Sequence, residues 1–357
     1  MTRAKTKGRK KLQVAIIGCG GVAHGHIRAW KANPKAELAM LVDLAMSQVR
    51  KIIDDMELDE TIPASRNYED ALKREDIDIV DICTPSHLHT TQIIDALTAK
   101  KHIVTEKPTG YNLEECRKLK YYLHKYPASK VAVAYSLRYY PLNLKVKEFM
   151  EEGRIGEPLY GQFTWNHTHR LGRRRRRLRR YRGYRGRFAD RGGFYKPGSE
   201  ASHTTHVFDL ARYMFGEVEE VFAYKSRKIR GTYALAIFEN GAAALLTSSI
   251  ASEWGLRNPT VLSLQGTKGT IQTGMNKKGE YTGKLIEKDG ESTIKARKET
   301  GHGDKVRTQN IINAIQKDEP LIAPLEDGIK TSEFLHAIWD SYTLGIRVPT
   351  HTSETTG

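Results

Sequence analysis

The sequence predicts an α/β protein: an N-terminal doubly wound parallel sheet, then an α+β domain with a large, mostly antiparallel open sheet. Three observations predict it. Up to about residue 135, short β-branched runs alternate with helical stretches, the pattern of a parallel sheet covered on both faces. A glycine-rich turn joins the first such run to the first helix. Beyond residue 150, strand-like segments follow one another with turn residues between them.

Taken in order, Val14–Ile17, Leu38–Val42, Ile79–Ile82, Ile103–Thr105 and Val131–Ala134 read as buried strands, with helical patterns at 22–32, 45–56, 67–74, 87–99 and 112–125. In the second half the strand candidates are Leu159–Trp165, Val218–Tyr224, Thr232–Phe238, Ala242–Ile250, Thr260–Leu264, Thr270–Thr273 and Tyr281–Glu287. Asn240-Gly241 between two of them is a hairpin signal. Two helices flank this sheet: Val207–Phe215, closed by Gly216, and 326–344, closed by Gly345.

The net charge of +16 over 357 residues invites a nucleic-acid reading, but its distribution argues against one. Six positive charges lie in residues 1–11, and residues 170–191 hold twelve arginines and one acid, Asp190. The remainder is close to neutral, so the basicity belongs to a tail and one internal segment. Cys19, Cys83 and Cys116 form no C-x-x-C pair and no disulfide framework, and no metal site is expected. No apolar run approaches the ~18 residues of a membrane span. A cytoplasmic protein is the expectation.

The strongest local signal is Gly18-Cys19-Gly20-Gly21-Val22-Ala23. Gly18 permits the tight turn, Gly20 lets the backbone approach a pyrophosphate, and Ala23 lets the helix pack closely on the strand. Gly21 and Val22 belong to the same cofactor-facing turn. Asp43 ends the second strand 25 residues after Gly18, where an acid binds adenosine ribose hydroxyls. Its carboxylate repels a 2′-phosphate and no arginine follows it directly, which favours NAD. Arg50 leaves NADP open. Thr84, Pro85 and His89 stand just past the third strand's carboxyl end, where ligands lie in such sheets. Glu106-Lys107-Pro108 follows the fourth strand; a lysine there can polarise a substrate hydroxyl or exchange its proton.

Together these motifs resemble the glucose–fructose oxidoreductase / inositol dehydrogenase (Gfo/Idh/MocA) family. Arg138-Tyr139-Tyr140-Pro141, Gly266-Thr267-Lys268-Gly269-Thr270 and Pro324-Leu325-Glu326-Asp327-Gly328 extend the resemblance over about residues 12–349. It implies an NAD(P)-binding Rossmann domain at 12–135 and an α+β substrate and oligomerisation domain at 136–349. A basic tail at 1–11 and a short tail at 350–357 complete the chain. The implied reaction is hydride transfer between NAD(P) and a hydroxyl carbon of a sugar, cyclitol or sugar derivative. A homo-oligomer, dimer or tetramer, is implied too.

The family's second catalytic motif places an Asp four residues before a His. Here the match is Ser202-His203-Thr204-Thr205-His206, with Ser202 in place of the Asp. Lys107 and His206 therefore remain as the proton-handling pair, with Arg138, Ser202 and His203 as further substrate-binding candidates and Glu106 and Lys107 beside the cofactor. The 170–191 excursion would suit an anionic substrate or a subunit contact. Two alternatives stand beside this reading: an NAD-dependent glycosidase of the same fold, and a nucleic-acid or polyanion-binding regulator that uses the arginines.

Overall fold

The computed structural model describes residues 11–168, 201–225, 230–251, 261–276, 280–295 and 303–350; the side chains of 166–168, 201–203, 225, 230 and 249–251 fall outside the description. Residues 1–10, the arginine-rich 170–191 and residues 351–357 lie outside the described residues as well. The chain divides into two compact units.

The first unit contains β1 (Leu12–Ile17), α1 (Ala23–Lys31), β2 (Ala36–Val42), α2 (Met46–Met56), β3 (Ala64–Ser65), α3 (Tyr68–Lys73), β4 (Ile79–Ile82), α4 (His89–Thr98), β5 (His102–Thr105), α5 (Leu113–Lys125) and β6 (Val131–Val133). The strand order is β3-β2-β1-β4-β5-β6 and every pairing is parallel. The order reverses between β1 and β4, which opens a crevice at their carboxyl ends. Alternation along β1 explains the layering: Ala15 and Ile17 enter the core on one face, Val14 and Ile16 the core on the other. A strand buried on both faces must be apolar throughout, so Asp81 in the middle of β4 calls for a partner.

The second unit holds α6 (Pro141–Glu151), β7 (Pro158–Thr168), α7 (Ala201–Phe215), β8 (Val218–Lys225), β9 (Arg230–Phe238), β10 (Ala243–Ala251), β11 (Val261–Gly266), β12 (Gly269–Met275), β13 (Tyr281–Glu287) and β14 (Gly290–Ile294). Then come α8 (Asp304–Lys317), α9 (Leu325–Leu344) and β15 (Val348–Pro349). Nine strands form one sheet in the order β14-β13-β12-β11-β7-β10-β9-β8-β15. Its pairings are antiparallel except β7–β10 at its centre. The hairpin at Asn240-Gly241 forms as its residues suggest: Gly241 has φ +82° and the Asn240 Oδ1 accepts from the Ala242 N–H at 3.0 Å.

Two departures from the sequence reading matter for function. α7 begins at Ala201 instead of Val207, so His206 lies within the helix and not ahead of it. Thr204, Thr205 and His206 are buried, and that burial overrides the modest helix propensity of a Ser/His/Thr run. Secondly, residues 299–329 return to the first unit. Ile311 and Ile312 of α8 join the core around Val14 and Ile16, and Ala323, Leu325 and Ile329 join the core on the opposite face. Gly25 permits this approach, since a Cβ there would sit 2.8 Å from the Asp304 carboxylate.

Candidate active site

The glycine-rich turn is shaped by sterics. Gly18 has φ +95°, and a Cβ on it would lie 2.9 Å from the Cys83 carbonyl carbon and 3.0 Å from the Thr84 nitrogen. Only glycine lets β1 turn this close to the end of β4. At Gly20 a Cβ would meet nothing within 4 Å, so its backbone faces open space, as close approach of a pyrophosphate requires. No side chain caps α1 and no acid occupies its first turn, leaving the positive end of the helix to an anion. Gly21 and Val22 are exposed on the same turn, and Ala23 is buried against the sheet. Asp43 locks onto this turn: Oδ2 accepts from the Cys19 N–H and Oδ1 from the Ala45 N–H, both at 2.9 Å. These residues fit NAD. Replacing Gly18 by Ala should abolish NADH binding measured by fluorescence titration, because the turn would have to leave β4.

Beyond β4 and β5 the expected residues come together. Pro85 is exposed and Thr84 half-buried, its hydroxyl donating to Gln92 Oε1 at 2.5 Å. His89 behaves differently from the expectation that it lines the nicotinamide side. It is 1% exposed, with Nδ1 2.8 Å from the Pro108 carbonyl and Nε2 2.8 Å from the Thr84 carbonyl. Both ring nitrogens face the protein's own backbone, so its reach to a ligand is indirect. Burial pushes the His89 pKa down, against the two carbonyls and Glu106. Lys107 is partly buried at the carboxyl end of β5. Burial lowers its pKa from the ordinary lysine range, and the neighbouring Glu106 opposes that shift.

Behind Lys107 lies a buried charge network that the sequence reading missed. His26 on α1 places Nδ1 2.8 Å from Asp81 Oδ1 and Nε2 3.3 Å from Glu106 Oε1. Trp30 Nε1 donates to Asp81 Oδ2 at 2.7 Å, and Cys83 Sγ is 3.3 Å from His26 Nδ1. From α8, the buried Arg307 pairs with Asp304 at 2.8 Å and adds its charge to Asp81 and Glu106. Burial and Arg307 oppose a charge on His26, but Asp81 and its hydrogen bond raise its pKa well above the usual value. Burial would raise the Glu106 carboxyl, yet the His26 ring, Lys107 and Arg307 hold it well below the carboxylate range. Burial pushes the Cys83 thiol up to about 12, so it stays protonated. Among the described residues His26, Asp81 and Cys83 are close enough to hold a metal ion, but hydrogen bonding already accounts for their approach.

Within the second unit, His206 is 8% exposed and packs edge-to-face on Trp165, ring centroids 4.9 Å apart. One turn on, Asp209 is buried and accepts from the Thr331 hydroxyl at 3.2 Å. The backbone places Ser202 four residues before His206 on α7, hence on the same helix face. The side chains of Ser202 and His203 lie outside the described residues. Arg138, a substrate-binding candidate, is buried in the first unit: its Nη1 donates to Asp327 Oδ2 at 2.6 Å and to the Ile322 carbonyl at 3.1 Å. That guanidinium clamps 322–327 onto the sheet.

Comparison with known proteins gives the context. The family model GFO_IDH_MocA, an oxidoreductase family with an NAD-binding Rossmann fold, matches residues 12–135. The model of that family's C-terminal α/β domain matches residues 147–349. The chain is 27% identical over 272 residues to the uncharacterized oxidoreductase YrbE of Bacillus subtilis (strain 168), covering 73% of each chain. It is 25% identical over 272 residues to the myo-inositol 2-dehydrogenase of Thermotoga maritima, covering 73% of this chain and 74% of the relative. Among solved structures, a levoglucosan dehydrogenase in complex with NADH and levoglucosan superposes with a TM-score of 0.81 at 21% identity, over 95% of this chain and 99% of that one. No helix among the described residues is long and apolar enough to cross a membrane.

Proposed function

Because the chain belongs to the GFO_IDH_MocA family of NAD-binding oxidoreductases, we propose that its substrate is a sugar or cyclitol oxidised or formed at a hydroxyl carbon, with Lys107 and His206 handling the hydroxyl proton. The observation that carries this reading is the placement of Lys107. It leaves β5 at the same sheet edge where β1 delivers the glycine turn, and burial lowers its pKa from the ordinary lysine range against the opposing Glu106.

In the oxidising direction the C–H bond gives up its electron pair as hydride while the hydroxyl loses its proton. Bound NAD supplies the hydride acceptor. Lys107, in its neutral form, accepts the departing hydroxyl proton, and the imidazole of His206 orients the hydroxyl and relays that proton. Asp43, at the end of β2 and tied to the glycine turn through the Cys19 N–H, would put its negative charge beside the adenosine ribose, which favours a free 2′-hydroxyl over a 2′-phosphate and so NAD over NADP.

The working form is a homo-oligomer in this reading. Support comes from the open face of the nine-stranded sheet, where Phe222, Leu235 and Leu245 fall in one cross-strand row and are all exposed. A row of large apolar side chains on one face is a surface that association covers. The three buried free thiols suit a reducing cytoplasm.

The test is direct. Purified protein with NAD and myo-inositol, levoglucosan or another sugar should build up reduced-nicotinamide absorbance with at least one of them. Cleavage of chromogenic glycosides with no net nicotinamide reduction would replace this reading by a redox-neutral glycosidase.

A further inference from the structure

Lys107 is fixed through both of its chain neighbours, and in each case by a buried histidine. On the N-terminal side, Glu106 presents Oε1 to His26 Nε2 at 3.3 Å, while the other ring nitrogen of His26 is anchored on Asp81 at 2.8 Å. On the C-terminal side, the Pro108 carbonyl lies 2.8 Å from His89 Nδ1, and the Thr84 carbonyl packs 2.8 Å from the other ring nitrogen. The two histidines come from different helices: His26 from α1, which the glycine turn opens, and His89 from the first position of α4.

We propose that His26 and His89 form a two-histidine brace that positions Lys107, acting through the Glu106 carboxylate on one side and the Pro108 carbonyl on the other. This rests on the reading of Lys107 as a proton-handling group. Neither histidine is itself catalytic; both are positioning residues.

Geometry gives each arm a purpose. A lysine side chain has several rotatable bonds, so its ammonium is placed well only if the backbone that carries it is fixed. One arm of the brace ties that backbone to the helix whose N-terminus seats the cofactor; the other ties it to the loop at the end of β4. Lys107 is thereby held relative to both walls of the crevice.

The arms differ in charge. Asp81, Cys83, Glu106 and Arg307 face His26, and Trp30 shares Asp81 with it. A ring between two carboxylates donates from both nitrogens, which requires the imidazolium. Around His89 the carbonyls of Thr84 and Pro108 are in contact, and Glu106 and Lys107 act on it at longer range; burial favours the neutral ring, which donates to one carbonyl only, and in the brace that bond is Nδ1–H to Pro108.

The experiment reads Lys107 without any substrate. The full-length protein, His26→Gln and His89→Gln are labelled with acetic anhydride across a pH series, and the modification of Lys107 is followed by peptide mass spectrometry against the exposed Lys51 and Lys118. Loss of the His26 cation leaves Glu106 less compensated, and loss of the His89 arm lets water reach Lys107. Both changes should move the Lys107 midpoint upward, toward the ordinary lysine value, by about one pH unit. NADH affinity should stay within about twofold, since the glycine turn and Asp43 are untouched. Midpoints that coincide with the wild type in folded variants overturn the brace.

Should either variant fail to fold, ring nitrogen NMR of the wild type decides. His26 should keep both nitrogens protonated well above the pH at which a free imidazole loses its proton, and His89 should not titrate near the free value of about 6.5. A free-histidine titration of either ring overturns the brace. A positive labelling result combined with no oxidation of any sugar would leave the brace standing and sink the substrate reading.

Discussion

Lys107→Met should lower kcat/KM for the sugar substrate by about 10²–10⁴-fold, the range typical of losing a general acid–base group. That corresponds to roughly 3–5 kcal/mol of transition-state stabilisation. NADH affinity should change little, since the glycine turn and Asp43 do not depend on this side chain. Arginine should not rescue the rate, because its guanidinium keeps its proton at every working pH. The pH profile supplies an independent reading. Oxidation needs a proton acceptor, so the rate should rise as pH passes the Lys107 pKa, which burial has moved down from the usual lysine range against the opposing Glu106. In Lys107→Met that limb should vanish. Unchanged turnover in the variant would remove Lys107 from the proton-handling role.

Asp81→Ala should be among the most destabilising single substitutions in the first unit. The carboxylate is fully buried and accepts from Trp30 at 2.7 Å and from His26 at 2.8 Å. Removing it leaves the His26 cation and the Arg307 guanidinium without that charge, and breaking a buried pair this way costs about 3–5 kcal/mol. For a domain of this size the melting temperature should fall by roughly 10 °C. The sign with pH follows from the two shifts. Burial raises the Asp81 carboxyl, but His26, Arg307 and Trp30 overcome it and leave the folded pKa depressed. Its stabilisation is therefore present above the unfolded value of about 3.9 and is lost as pH falls through the folded one. His26 runs the other way: with its folded pKa raised, its contribution is complete below about 6.5 and is lost as pH climbs through the folded value. The gap between wild type and Asp81→Ala in thermal melts should be widest between those limits. A variant that melts with the wild type at pH 6 would mean the network carries no net stability.

The same network marks the limit of what residue order reveals. Asp81 inside an apolar strand and His26 on the apolar side of α1, between Ala23 and Trp30, are local irregularities, and each signals a buried polar group that needs a partner. Which partner is not a local matter. His26 and Asp81 are 55 residues apart and His26 and Glu106 are 80 apart. Arg307 arrives from a segment that chain order assigns to the second domain. Arg138 shows the converse: its motif suggested a substrate contact, and in the fold it is buried with Nη1 donating to Asp327.

By itself the sequence determined the strand–helix alternation, the glycine turn, Asp43, the position of Lys107 at a strand end and the Asn240-Gly241 hairpin. All of these depend on residues close together in the chain, through side-chain periodicity, backbone sterics and turn chemistry. Tertiary structure alone decided that 299–329 completes the first unit, that β7 and β10 pair in parallel, that α7 reaches back to Ala201, and that His89 turns both nitrogens onto backbone carbonyls. Those outcomes depend on which elements meet. A buried charge or carbonyl must be satisfied by whatever packing brings to it, and that neighbour is set by the fold and not by the flanking residues.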